Sequence, residues 1–285
     1  MSEQVVGVIG GSGLYEMPGL SGLEEHSIQT SFGSPSDVIV SGRIGETRYL
    51  FLPRHGRGHR FTPSEINYRA NILALKMLGA RQLISVSAVG SLTEQAHPGD
   101  VVLVDQFIDR TSRRVGTFFD GLGVVAHVGF AEPIDAALSG TLYQAAVAAG
   151  ARAHRTGTYV CIEGPQFSTR AESNLYRSWG ATVIGMTNLP EARLAREAQL
   201  PYATMALVTD YDCWKTDEPS VSVDAVIAVM KKNVALAQSI LAGVAGRLPD
   251  PSASPAASAL KDAVLTPSDR ISAAAREKLA AILPR

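Results

Sequence analysis

The chain predicts an α/β fold: a central mixed, mostly parallel β-sheet flanked by helices. Two patterns point to it. Short apolar runs rich in Val and Ile recur along the chain, and helical patterns lie between several of them. The composition agrees: hydrophobic residues make up 46% of 285 residues and charged ones 19%, so a sizeable core can be buried.

The apolar runs are "VVGVIGG" (5–11), "RYLFLPR" (48–54), "QLISVSAVG" (82–90), "DVVLVDQFI" (100–108), "TGTYVCIEGP" (156–165), "ATVIGM" (181–186) and "YATMALVTD" (202–210). Each reads as a strand. Between them, 63–80 places Ile66, Ala70, Leu73 and Met77 near one helical face and ends at a glycine. Helices are likewise expected over 133–151, 168–181 and 189–200, and a final one over 222–248. This sets a catalytic domain at 1–248. "PDPSASPAASAL" (249–260) is rich in Pro, Ser and Ala and reads as a linker. The stretch 261–285 reads as a helical tail with Ser and Asp cap candidates, expected to pack or to join copies, since a short helix rarely holds alone.

Charge and cysteine content narrow the function. A net charge of −1 gives no general basis for nucleic-acid or membrane-surface binding, so any anion site must be built locally. Cys161 and Cys213 form neither a CxxC nor a zinc pattern, and no metal is expected. Reduced thiols and the lack of a leader or spanning pattern lead us to expect a cytoplasmic protein.

Several strand ends carry chemistry. "VVGVIGGSGLY" runs into a glycine turn, but the dinucleotide fingerprint fails at Glu16 and no Gly-Lys-Ser/Thr follows. What is left is a plain turn or a phosphate cradle of backbone N–H groups with the Ser12 hydroxyl. "LPRHGRGHRFTPSEINY" (52–68) crowds Arg54, His55, Arg57, His59 and Arg60. Glycines 56 and 58 spoil a helix, which disfavours a zinc-protease pair, whereas guanidinium beside imidazole suits a bound oxyanion; a solvated basic loop is the alternative. Ser87 and Thr187 end two further strands, and ligands of open α/β sheets sit at such carboxyl ends. "TDYDCWK" closes the last strand with Asp210 and Asp212, which either cap a loop or accept hydrogen bonds from a ligand.

Taken in order, "GVIGGSGLY", "PRHGRGHRFTPSEINYRANI", "SAVGSL", "PGDVVLVDQFIDRTSRR", "IEGPQFSTRAES", "GMTNLPEARLAREA" and "TDYDCWK" closely resemble the trimeric purine nucleoside phosphorylase family, in its branch acting on S-methyl-5'-thioadenosine. The resemblance spans roughly residues 5–245. It implies the nucleoside phosphorylase fold, glycosidic-bond cleavage by inorganic phosphate as co-substrate, and no cofactor. It implies a phosphate site of Ser12, Arg54, His55, Ser87, Thr187 and the Ala88 backbone. Met186 would line the ribose, and Phe167 and Ser168 would meet the base. Asp210 and Asp212 would read the base and carry the acid chemistry. Val223 and Val226 would hold the methylthio group, with His127 supplied by the neighbouring subunit of a homotrimer.

Two aspartates suit a 6-aminopurine, whose exocyclic amino group donates; an amide would suit a 6-oxopurine, whose O6 accepts. Burial beside Phe167 and a second carboxylate is expected to raise the Asp210 pKa. Three departures from the family stand out. Ser12 and Ser87 replace threonines and keep the hydroxyl. Val89 replaces a cysteine of animal relatives. Gly185 stands where animal relatives carry asparagine, which would widen the base pocket and admit some 6-oxopurine turnover. The rival activity is a 6-oxopurine phosphorylase acting on methylthioinosine or inosine.

Overall fold

In the computed structural model, residues 3–215 and 223–283 are described; the side chains of Ser12, 223–228, Met230 and Lys231 lie outside the described set. The first strands are β1 (Gln4–Gly10), β2 (Ser21–His26), β3 (Ile39–Ile44) and β4 (Thr47–Pro53). Helix α1 (Tyr68–Met77) follows, then β5 (Gln82–Ser91), β6 (Val101–Val104), β7 (Gln106–Arg110) and α2 (Ala136–Ala148). Next come β8 (Ala153–His154), β9 (Thr158–Ile162), α3 (Arg170–Ser178), β10 (Val183–Gly185), α4 (Asn188–Glu197) and β11 (Tyr202–Asp210). The chain then enters α5 (Val223–Gly243) and ends with α6 (Ala273–Lys278).

Among the described residues, eleven strands join one mixed sheet, with six parallel and four antiparallel pairings. Three of its strands, β2, β3 and the two-residue β8, are absent from the sequence reading, and the first two belong together. They form an antiparallel flank on β4, and "SGLEEH" of β2 is an exposed, charged edge without alternation. The run 100–108, expected as one strand, is two. At Asp105 the chain leaves β11 and β8 and joins β9, and the Asp105 carboxylate accepts from the Gly157 N–H at 3.0 Å. The sheet thereby closes on itself: β5, β11 and β6, then β7, β9, β10 and back to β5.

Helices cover both faces. Leu73 and Ile72 of α1 and Ala192 and Leu194 of α4 sit in one apolar cluster; Leu138 and Leu142 of α2 and Ile240 and Leu241 of α5 sit in the other. Three helix starts carry side-chain caps, Asn67 for α1, Asp135 for α2 and a Thr169–Glu172 capping box for α3, whereas Thr187 at the start of α4 makes none. The Asn67 cap sets the α1 start after the expected 63. Met77, expected on the apolar face, is exposed at the last turn.

Residues 249–260, read as a linker, are folded onto the body. Asp250 and Ser254 cap two 3-10 turns that begin with proline, and Ala256 and Leu260 are buried. Beyond them Ala275, Leu279 and Ile282 enter the same cluster as Leu73, and Ala126 bridges Val264. The prolines start turns here instead of keeping the chain extended. No helix among the described residues is long and apolar enough to cross a membrane.

Candidate active site

Strand β5 explains where the cavity lies. Along one edge it pairs with β1 through Ser85 and with β10 from Gly90, while β11 runs along the other edge. Neither β1 nor β10 pairs with residues 86–89. There a cavity of about 510 Å³ opens, walled by the carboxyl ends of β1, β4, β5, β9, β10 and β11.

The cavity gathers most of the sequence-predicted residues. Arg54, His55, Ser87, Ala88, Met186 and Thr187 line it, as do Phe167, Ser168, Asp210 and Asp212. Gly11 lines it too, and Ser12 opens the 3-10 turn that follows, its side chain outside the described residues. The side chains of Val223 and Val226 also lie outside the described residues. His127 is exposed and is not among the lining residues; its loop is tied to the C-terminal segment by the His127 N–H donating to the Ala263 carbonyl.

Arg54 is 3% exposed and its bidentate face is already used. Nε donates to Glu191 Oε2 at 2.8 Å and Nη2 to Glu191 Oε1 at 3.1 Å. Nη2 also donates to Ser85 Oγ and the Ile9 carbonyl, and Nη1 to the Val86 carbonyl at 3.1 Å. Tyr202 Oη donates to Glu191 Oε1 at 2.9 Å. The expected fork toward phosphate is therefore turned into the protein. One Nη1 hydrogen has no protein acceptor among the described residues. Glu191, which sequence reasoning missed, was detectable as a lone acid within the apolar helical pattern "LPEARLA".

His55 donates from Nδ1 to the Phe61 carbonyl at 2.8 Å, so its Nε2 carries the lone pair. Burial, with Arg54 and His59 adding repulsion, lowers its pKa to about 4. His59, in a left-handed backbone conformation, stacks on it at 4.2 Å. A neutral buried imidazole has a consequence for the fold. The stability it lends is present above the unfolded value of 6.5 and lost as pH falls through about 4. Urea titrations from pH 7 to 4 should show a shallower loss of stability in His55→Asn than in the parent.

At the other end, Asp210 Oδ2 accepts from Thr209 Oγ1 at 2.6 Å and Oδ1 from the Asp212 N–H at 2.8 Å. Burial raises the pKa of both aspartates, opposed by these hydrogen bonds at Asp210. For Asp212, the charge of Asp210 adds to the upward shift. Asp212 sits at φ 53, where hydrogen bonding from Ser173 and the Cys213 backbone opposes the rise in its pKa, and Ser168 Oγ is buried with no hydrogen-bond partner among the described residues. Ser168, Asp210 and Asp212 thus bring a hydroxyl and two carboxyl groups to one cavity lining. Phe167, expected beside Asp210, is 60% exposed.

Gly185 departs from the expected widening. A Cβ there would lie 2.0 Å from Tyr159 Oη, so the phenol of Tyr159 occupies the space a side chain would take. Gly164 plays a similar part, since a Cβ there would meet Met186 Sδ at 2.5 Å. Arg114 was also missed. Nearly buried, it donates to the Met186 and Leu189 carbonyls at 2.6 and 2.7 Å and to the Glu163 carbonyl at 2.7 Å, tying two cavity loops together.

The model of the phosphorylase superfamily matches residues 5–245. The chain is 57% identical over 282 residues to an S-methyl-5'-thioadenosine phosphorylase of Geobacter sulfurreducens, covering 99% of this chain and 98% of that protein. Among solved structures, a methylthioadenosine phosphorylase from an antarctic soil metagenomic library superposes with a TM-score of 0.93 at 49% identity, covering 99% of this chain and all of the other. A methylthioadenosine phosphorylase from Schistosoma mansoni in complex with adenine superposes with a TM-score of 0.79 at 40% identity, covering 85% of this chain and 91% of that one. The cavity at the strand ends is thus set in a fold and a sequence shared along nearly the whole chain, and the chain belongs to the phosphorylase superfamily, in its group of S-methyl-5'-thioadenosine phosphorylases.

Proposed function

We infer that the chain cleaves S-methyl-5'-thioadenosine with inorganic phosphate, giving adenine and 5-methylthioribose 1-phosphate, a reaction of purine and methionine salvage. One observation carries this reading: a single cavity joins a wall of hydroxyls, imidazole and guanidinium to two buried carboxyl groups whose pKa is raised.

The phosphate would rest against Ser12, Ser87, Thr187, the Ala88 N–H and the remaining Arg54 hydrogen. His55 is neutral with Nε2 as an acceptor, which suits the P–OH of a protonated phosphate. Met186 would face the ribose. Phe167 would close over the purine, and Ser168 and Asp212 Oδ2 would meet its polar edge, Asp212 accepting from the amino group. The glycosidic bond then lengthens toward an oxocarbenium ion. The acid form of Asp210, which burial favours, donates its proton to N7, the bonding electrons leave with the purine, and a phosphate oxygen forms the bond to C1'. The bound phosphate charge stabilises the positive sugar, so positioning and electrostatics do most of the work.

The reading includes a homotrimer in which the partner subunit's His127 joins Val223 and Val226 around the methylthio group. The exposed His127 loop, braced by the C-terminal segment, is consistent with reaching outside its own chain. It needs no metal or organic cofactor, and the free thiols of Cys161 and Cys213 fit the cytoplasm.

The test is adenine release from methylthioadenosine with and without phosphate, beside methylthioinosine and adenosine. Release only with phosphate, and faster than hypoxanthine release from methylthioinosine, is expected. Release without phosphate would mean hydrolysis, and faster cleavage of methylthioinosine would reverse the reading of the aspartates.

A further inference from the structure

Tyr159 lies behind the cavity wall, fully buried, on β9. Its hydroxyl reaches across Gly185 to two groups on different strand ends. Thr187 N–H donates to Tyr159 Oη at 3.4 Å, and Ser87 Oγ lies 3.4 Å from the same oxygen. No other partner of Tyr159 Oη is found among the described residues. A phenol in this position has one hydrogen to place, and leaving it unpaired in a buried site is costly. Its pKa is pushed up to about 12 by burial, so that hydrogen is present at neutral pH. With the Thr187 N–H arriving as a donor, the one acceptor within reach of the phenol hydrogen is Ser87 Oγ. Ser87 has no other hydrogen-bond partner among the described residues and lines the cavity, so its own hydrogen is left to point there.

We propose that Tyr159 is a positioning residue for the anion end of the cavity: through the relay Thr187 N–H to Tyr159 O–H to Ser87 O–H it fixes Ser87 as a donor to phosphate. Gly185 is the residue that admits the phenol, since any side chain there would collide with Oη. The relay rests on the phosphorolysis reading above, and deepens it by assigning the polarity of one phosphate contact. The contacts of Tyr159 Oη run to Ser87 and Thr187, two of the proposed phosphate residues, so its effect is expected on phosphate.

The experiment is a double-variant cycle with Tyr159→Phe, Ser87→Ala and both together, followed by steady-state kinetics in phosphate and in methylthioadenosine. Phosphate binding by calorimetry runs beside it as a readout free of turnover. Tyr159→Phe should raise the phosphate KM and Kd about 3- to 10-fold, the range one neutral hydrogen bond supports. The nucleoside KM should stay within about twofold, and thermal unfolding should show that the fold is kept. Ser87→Ala should raise phosphate KM further, and the double variant should be no worse than Ser87→Ala alone. An unchanged phosphate KM in Tyr159→Phe, or effects that multiply in the double variant, would overturn the relay while leaving phosphorolysis intact. Phosphate-dependent turnover with an unchanged phosphate KM in Ser87→Ala would instead remove Ser87 from the phosphate site, and the relay with it.

Discussion

Glu191→Ala is expected to destabilise the protein by about 3–5 kcal/mol, the cost of leaving one partner of a buried ion pair without the other. Arg54 and Glu191 are almost inaccessible, and their contact at 2.8 Å ties β4 to α4 behind the anion wall. Removing the carboxylate takes both Glu191 oxygens from a buried guanidinium. Chemical denaturation of the parent and variant would measure this. The functional consequence separates from the structural one in a second variant. Arg54→Met with Glu191→Leu replaces the pair by apolar groups of similar length, a change that is often neutral for stability. That double variant should regain most of the lost stability yet keep a strongly raised phosphate KM, because the guanidinium is gone from the cavity lining. If it recovers both, Arg54 serves only to hold the fold.

The pair also shows where the sequence is legible and where it stops. The α/β class, the main strands and helices α1 to α5 follow from the apolar period, since that signal is local. Asn67, Asp135 and Thr169 each cap the helix they precede. The cavity residues at strand ends were likewise readable, because small hydroxyls, an arginine and paired aspartates close apolar runs. What failed to show was partnership across the chain. Arg54 reads as an anion ligand until Glu191, 137 residues later, is seen to hold its fork. Gly185 reads as open space until Tyr159 from another strand fills it. The split at Asp105 is hidden because both halves are apolar, and the sheet closure that requires it is a tertiary event. The proline-rich stretch 249–260 misleads because proline starts a capped 3-10 turn as readily as it opens an extended linker.

The second large effect is expected at the other end of the cavity. Asp210→Asn keeps the shape and the acceptor oxygen but removes the acidic proton, so kcat/KM for methylthioadenosine should fall about 10²- to 10⁴-fold, the span of general acid catalysis. Both Asp210 oxygens are already engaged, by Thr209 and by the Asp212 N–H, so the amide oxygen can keep one of these contacts and the fold should survive. Two further readouts tie the loss to the proton. Burial raises the Asp210 pKa, so the protonated acid persists to higher pH than an ordinary aspartic acid and is lost as pH climbs through the raised value. The parent should therefore lose kcat/KM on a basic limb that Asp210→Asn lacks. The same shift has a sign opposite to that of His55 in stability: its contribution is complete below the ordinary value of 3.8 and disappears as pH rises through the folded pKa. Base preference supplies the last discrimination. The amide NH₂ can donate to O6 of a 6-oxopurine, so the ratio of methylthioinosine to methylthioadenosine cleavage should rise in Asp210→Asn even as both rates drop. A variant that loses methylthioadenosine turnover, keeps the basic limb and leaves that ratio unchanged would place the proton donor elsewhere, with Asp212 the first group to test because burial and the neighbouring Asp210 raise its pKa too.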